Sequence, residues 1–360
     1  MDEQFLNSVI LLVVPRRVEE RVRMNIVRVI RCCGWLLMAL PSLVLAASAT
    51  GTGPSFPGKK ILWVDSYNQA YEWSAGIETG IRRELQNSGV ELRIVRMNTK
   101  WNLDEAFRRE AALKAKAAIE EFCPDVVIAS DDNAAKYLVV PYLKDTDLPV
   151  VFCGINWDAS PYGFPCSNVT GMLEVEPPEI LEALVRHLRR YAEGDRIGYL
   201  CADTVLEQKR IQIYKERLSD GSMTVYLARD FTQFKELFLH AQQEVDMIYL
   251  ANYSDMPGWD PQVVEDFLTR NIKLPTGSRT SYMARYVIVT VAKMPEEQGE
   301  WAARTALRIL DGAQPDSIPL ASNERASLTL NLRMAKAAGI VLPVEILRAA
   351  SRVIGQEGIE

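Results

Sequence analysis

From Lys59 onward, short apolar runs alternate with longer stretches in which apolar residues recur every third or fourth position. The run KKILWVD, ending at Asp65, is followed by Trp73, Ile77, Ile81 and Leu85, a spacing that puts all four on one face of a helix. Next come VELRIVRM, an Ala-rich helical stretch from Leu103 to Phe122, PDVVIAS, a short helix around Ala134 to Leu143, and LPVVFCG. The runs are nearly continuous in apolar residues, as strands covered on both faces require. Helices between such strands imply right-handed crossovers and a parallel sheet.

After NVTGMLEVEPPE the alternation restarts. A helix from Ile180 to Tyr191 leads to RIGYLCAD, a helix from Leu206 to Leu218 stopped by SDG, and MTVYLARD. A helix through Phe234 to Gln243, DMIYLANY, a helix from Gln262 to Arg270 and IKLPTGS complete this second unit. The two units share the order of their elements and no residue-level repeat. The chain then runs through MARYVIVTVAK and the helix PEEQGEWAARTALRILDG to SLTLNLR and two last helices. The fold class is therefore α/β, with two doubly wound parallel-sheet lobes joined by a hinge, an arrangement that closes around a ligand.

Composition narrows the function. A chain of 360 residues, 48% hydrophobic, has room for two lobes with cores of their own. Residues 1–49 read as an export signal behind a misassigned start. The signal has a basic start at Arg28 and Arg31, an apolar stretch from Cys33 to Ala47, and a small-residue end, Ala47-Ser48-Ala49. The apolar stretch is shorter than a membrane span needs. The protein is thus expected in the periplasm or another extracytoplasmic compartment, with residues 50–58 as a Gly/Pro linker. The formal charge of -6 becomes more negative without the signal, which argues against a nucleic-acid partner. Cys123, Cys153, Cys166 and Cys201 would remain; Cys153 and Cys166 flank one loop and can either bridge or stay buried thiols.

No Cys/His metal spacing, GxSxG elbow, P-loop or GxGxxG is present, so no cofactor, metal or catalysed reaction is expected. Both histidines, His187 and His240, fall within helical patterns as surface or satisfied residues. Candidate chemistry lies at strand ends, where open α/β sheets bind ligands. LPVVFCG runs into INWDASPYGFP, which brings Asn156 and Trp157 to such an end. DSYNQAYEW supplies Ser66, Tyr67 and Trp73, and SDDN supplies Ser130 and Asp131. The second unit supplies Asp203 and, within NYSDMPGW, Tyr253.

Tyr67, Trp157 and Tyr253 can sandwich a flat or apolar group. Ser66, Ser130 and Asn156 can donate to a carboxylate or carbonyl, and Asp131 and Asp203 can accept from an amino group. Competing structural roles exist: Trp73 shares the spacing of core residues, and Asp131 can cap the helix that follows it. PTGSR, Pro275 to Arg279, can form an anion nest or a plain turn.

The stretch AARTALRILDGAQPDSIPLASNERASLTLNLRMAKAAGIVLPVEILRAASRVIG, together with NVTGM at Asn168 to Met172, resembles the ABC-transporter substrate-binding family. This is the periplasmic-binding-protein type I fold, in the group of tryptophan/tyrosine-type binding proteins. The matching features are Leu310-Asp311-Gly312 at a helix end, the Pro315 to Pro319 turn, Asn331-Leu332, Ala338-Gly339 and Pro343. The resemblance implies three chain crossings, with residues 57–172 and 287–319 in one lobe and 173–286 and 320–360 in the other. It also implies a monomeric solute-binding protein that delivers an amino acid or related aromatic or heterocyclic compound to an ABC permease. The same fold serves elsewhere as the sensor of a membrane histidine kinase or cyclase. The loop INWDASPYGFP is longer and more aromatic than the short DP-type turn common in the family.

Overall fold

The computed structural model describes residues 55–355 apart from 103, 176, 218–222, 252 and 254–255. The export signal expected in residues 1–49 lies outside them, as does part of the linker. Strands β1 (Lys60–Asp65), β2 (Glu91–Arg96), β3 (Val126–Ser130), β4 (Val150–Asn156) and β5 (Val169–Glu174) come first. They are followed by β6 (Ile197–Ala202), β7 (Met223–Ala228), β8 (Met247–Leu250), β9 (Thr276–Ser278) and β10 (Val289–Lys293), then β11 (Ala321–Ser322), β12 (Ala326–Asn331) and β13 (Arg352–Ile354).

The strands form two sheets, ordered β11-β5-β4-β3-β1-β2 and β13-β12-β10-β9-β8-β6-β7. Pairing is parallel throughout the first sheet. In the second, β12 runs antiparallel to β10, an exception to the parallel pairing expected from the alternation of elements.

The first sheet is covered on both faces, which explains its unbroken apolar runs. Side chains alternate across it: Ile61 and Trp63 pack with Ile77, Ile81, Ala302, Ala303 and Ala306 on one side. Leu62 and Val64 pack with Ala112, Ala115, Ile119 and Leu138 on the other. Helix starts are set locally, as where Asp104 accepts from Phe107 N and Asp260 accepts from Gln262 N and Val263 N.

The lobe boundaries differ from those drawn from the sequence. Val289–Lys293, grouped there with the first lobe, pairs with β9 and β12 in the second sheet. Ala321–Ser322, grouped with the second lobe, pairs with Met172 and Leu173 in the first. The crossings therefore follow Glu174, Lys293 and Ser322, because sheet pairing carries each strand a few residues past the apparent break.

A buried polar network knits these crossings together. Gln298 Oε1 accepts from Gly154 N at 2.8 Å, while its Nε2 donates to Leu173 O at 3.0 Å and Asn323 Oδ1 at 2.8 Å. Asn323 Nδ2 in turn donates to Glu297 Oε2 at 2.9 Å. All four cysteines singled out in the sequence are free thiols, so Cys153 and Cys166 do not bridge.

Candidate functional site

In the first sheet the order β2-β1-β3-β4-β5 reverses direction between β1 and β3. A crevice opens at the carboxyl ends of the strands at such a point. Tyr67 follows β1 there and Asp131 follows β3. Tyr67 is half-buried, packs edge-on against Tyr71 at 5.3 Å, and has the Lys100 ammonium 5.0 Å from its ring centre. Burial first, and then the negative charge of Asp131, holds its phenol far above the usual range.

Asp131 does not cap its helix: the cap position is Ser130, and no side chain bonds there. Instead Asp131 sits in the left-handed region, at φ 69°. Its Oδ1 lies so close to Gly154 that a Cβ at that position would stand 2.8 Å away. Its Oδ2 is buried with no hydrogen-bond partner among the described residues. Burial first, then Glu174, Asp65 and Asp132, pushes this carboxyl well above the ordinary carboxylate range, and Lys100 acts in the opposite direction.

The loop after β4 divides by role. Phe164 is buried and stacks on Phe152 at 5.6 Å, and the Tyr162 hydroxyl donates to Asp132 Oδ1 at 2.7 Å. Asn156 Nδ2 donates to the other oxygen of Asp132 at 2.7 Å. These contacts anchor the loop and leave Trp157, at φ 64° and 51% exposed, projecting from it. Trp73 is half-buried against the core, its indole N–H buried without a partner among the described residues and its ring 5.6 Å from Lys293 Nζ.

Three of the residues proposed from sequence have other roles. Ser66 is fully buried; its hydroxyl donates to Ser130 O at 2.5 Å and accepts from Ala134 N at 2.7 Å, so it braces the backbone. Ser130 is equally buried, and its hydroxyl accepts from Trp63 Nε1 at 3.2 Å. Tyr253, expected to face Trp157 across the cleft, is 1% exposed in the second lobe's core, stacked on Trp259 at 5.0 Å and edge-on to Phe234 at 4.9 Å.

The apolar packing available from Phe234 and Trp259 outweighs solvation for that ring. The Tyr253 hydroxyl nevertheless has no partner among the described residues. Tyr253→Phe is therefore expected to leave stability within about 0.5 kcal/mol of the parent, or raise it, since it deletes an unpaired buried polar group. Urea unfolding checks this. Asp203 is exposed at the end of β6 and accepts from Gln208 Nε2 at 3.1 Å.

The sequence profile of the ABC transporter substrate binding protein family matches residues 74–354, most of the described chain. The chain belongs to this family. No curated protein sequence matches the binding protein. Among solved structures it is similar to the ligand-free, open form of a substrate binding protein with adhesive properties from Clostridium difficile. That likeness has a TM-score of 0.64 at 16% identity, over 82% of this chain and 99% of the other. An ABC domain in complex with L-Trp from Streptococcus pneumonia gives 0.53 at 16% identity, again over 82% and 99%. A solute binding protein from Bradyrhizobium sp. BTAi1 with bound bis-tris gives 0.54 at 12% identity, over 80% and 86%. These likenesses establish a shared two-lobe fold.

Two charged groups of the binding protein near these strand ends were not singled out from the sequence. Glu174, at the end of β5, accepts from Lys293 Nζ, at the end of β10, at 2.5 Å. The pair joins residues 119 positions apart. Only the late crossing after Lys293 brings them together. In the second lobe, Thr276–Ser278 of PTGSR is strand rather than turn. Arg279 behind it is buried, donates through Nε to Tyr249 OH at 2.8 Å, and lies over the rings of Tyr214 and Tyr249. Among the described residues no helix is long and apolar enough to cross a membrane.

Proposed function

We propose that this member of the family is exported, captures a small solute between its lobes and delivers it to an ABC permease. The solute is an amino acid or a related aromatic or heterocyclic compound, and no reaction is catalysed. The observation that carries this reading is the gathering of Tyr67, Asp131 and Trp157 at the carboxyl ends of β1, β3 and β4. That is the switch point where open α/β sheets hold ligands, and it combines aromatic faces with a buried acceptor. Asn156 is held by Asp132 and orients the loop beneath Trp157. From the second lobe, Asp203 is the exposed strand-end acid available to the same solute. That a protein of the same fold holds L-Trp agrees with the solute class.

The test is a thermal-shift screen of amino acids, nucleobases and sugars, followed by Trp157→Ala on each hit. An aromatic or heterocyclic compound is expected to raise the melting temperature. Trp157→Ala is expected to weaken its binding by about 3- to 10-fold, the worth of one aromatic contact, without loss of the fold. Stabilisation by sugars alone, or unchanged affinity in Trp157→Ala, would refute the assignment of this loop as a wall of the site.

A further inference from the structure

Asp131 is 2% exposed, and its Oδ2 meets no donor among the described residues. Charged or titratable groups face it from several of the elements packed around it: Asp65 and Tyr67 from β1 and its loop, Lys100 after β2, Cys153 in β4, Asp132 beside it and Glu174 from β5. Two of the acids are already answered, Asp65 by Arg96 at 2.5 Å and Glu174 by Lys293 at 2.5 Å. No such pair is made by Asp131 in the described structure; Lys100 acts on it from a distance and lies over the rings of Tyr67 and Tyr71.

A buried carboxylate without a donor is costly enough that the group keeps its proton instead. The raised titration range of Asp131, caused mainly by burial, agrees with that state. An unpartnered buried acceptor next to an aromatic ring is suited to an ammonium group, which brings both the missing donors and the missing charge.

Resting on the solute-binding reading above, we propose that the ligand is an amine whose cationic nitrogen seats against Oδ2 of Asp131, displacing the carboxyl proton to solvent. In the empty protein the group is the neutral acid. When R–NH3+ enters, the Asp131 O–H bond breaks, one proton leaves to buffer, and the carboxylate accepts hydrogen bonds from the ammonium; no other charge changes. Affinity then rises with pH, by up to about tenfold per unit, until Asp131 is ionised in the empty protein or the amine itself loses its proton.

The test has a ligand-free arm and a ligand arm, both on the full protein. In the first, urea unfolding of the parent and of Asp131→Asn is compared at pH 5 and pH 8. A carboxyl raised in the folded state contributes stability that is present below its unfolded pKa and is lost as pH rises through the folded one. The parent is thus expected to lose stability from pH 5 to 8 more steeply than Asp131→Asn, and the variant to be at least as stable at pH 8. A variant less stable at both pH values would make Asp131 a structural acid and overturn the proposal.

In the second arm, calorimetry in phosphate and in HEPES, buffers without a primary amine, follows the binding of amino acids, tryptamine, spermidine, indole-3-propionate and common sugars. An amine probe is expected to bind with release of about one proton, and Asp131→Asn to weaken it about 10- to 100-fold and abolish the release. Binding of indole-3-propionate as tightly as tryptamine, or amine binding without proton release, would overturn the inference. Sugars that bind the parent and the variant alike would sink it while leaving the solute-binding role intact. Failure of every probe would set both aside.

Discussion

Valine at position 80 is expected to cost the first lobe about 3–4 kcal/mol, enough to remove a large part of its stability. Helices Glu72–Leu85 and Pro295–Leu310 meet through glycines on both sides. A Cβ on Gly80 would stand 2.2 Å from Glu296 O and 2.8 Å from Glu300 N, and one on Gly299 would stand 2.1 Å from Ile77 O. The atoms in the way are helix backbone, which cannot rotate aside as a side chain can. The two helices must instead part, and the packing of Ile77 and Ile81 with Ala302, Ala303 and Ala306 opens with them.

Valine recovers roughly 0.5 kcal/mol of helix propensity over glycine, far too little to offset this. The neighbouring Thr79 is exposed, so Thr79→Val is a control expected to change stability by no more than about 0.5 kcal/mol. Guanidinium unfolding of both variants measures the contrast. Equal stability of the two would mean that the helices do not pack as closely as these glycines place them.

Much of the fold could be read from the sequence because buried parallel strands leave an unambiguous trace. Val126 to Ser130 and Val150 to Cys153 are fully covered and show no polar alternation, and the helices between them fix the pairing direction. Strand β5 was hidden by Gly171, where a Cβ would press into the Phe152 ring at 2.3 Å, and β11 has only two residues. Neither makes an apolar run long enough to recognise.

At the site, position along a strand proved more legible than the direction of a side chain. Tyr67, Asp131 and Trp157 stand just behind the last residues of β1, β3 and β4. Ser66 and Ser130 lie there too, but a short hydroxyl beside unpaired backbone groups is captured by them before it can reach a solute. For Tyr253 a warning was present: Phe231, Phe234 and Phe238 line one face of the adjacent helix and offer the ring a larger apolar surface than the cleft. Glu174 and Lys293 carried no such sign, since their partnership depends on where the chain crosses between sheets.

That partnership leads to the second large expected effect, in Lys293→Met. The Glu174 and Lys293 side chains are 16% and 20% exposed, and their contact ties the end of β5 to the end of β10, where two of the three crossings begin. Burial raises the Glu174 carboxyl above its usual range, while Lys293 pulls it back down. Methionine keeps most of the apolar stem but removes the charge, including the ammonium that stands 5.6 Å from the Trp73 ring centre. Glu174 is then left nearly buried and unanswered, and its proton is held more tightly.

Breaking a fully buried pair costs about 3–5 kcal/mol, and the partial exposure of both ends lowers the expectation to about 2 kcal/mol at pH 8. The sign with pH follows from the raised carboxyl. Its contribution is intact below the unfolded value and is lost as pH rises through the folded one, and the variant moves that folded value higher still. The deficit of Lys293→Met should therefore shrink at pH 5, where Glu174 can take up a proton, and widen toward pH 8. Glu174→Gln in the same background should recover most of the loss at pH 8, because a neutral amide needs no counter-charge. A deficit that is independent of pH, or no recovery in the double variant, would mean that the hinge depends on the packing of the lysine stem rather than on this ion pair.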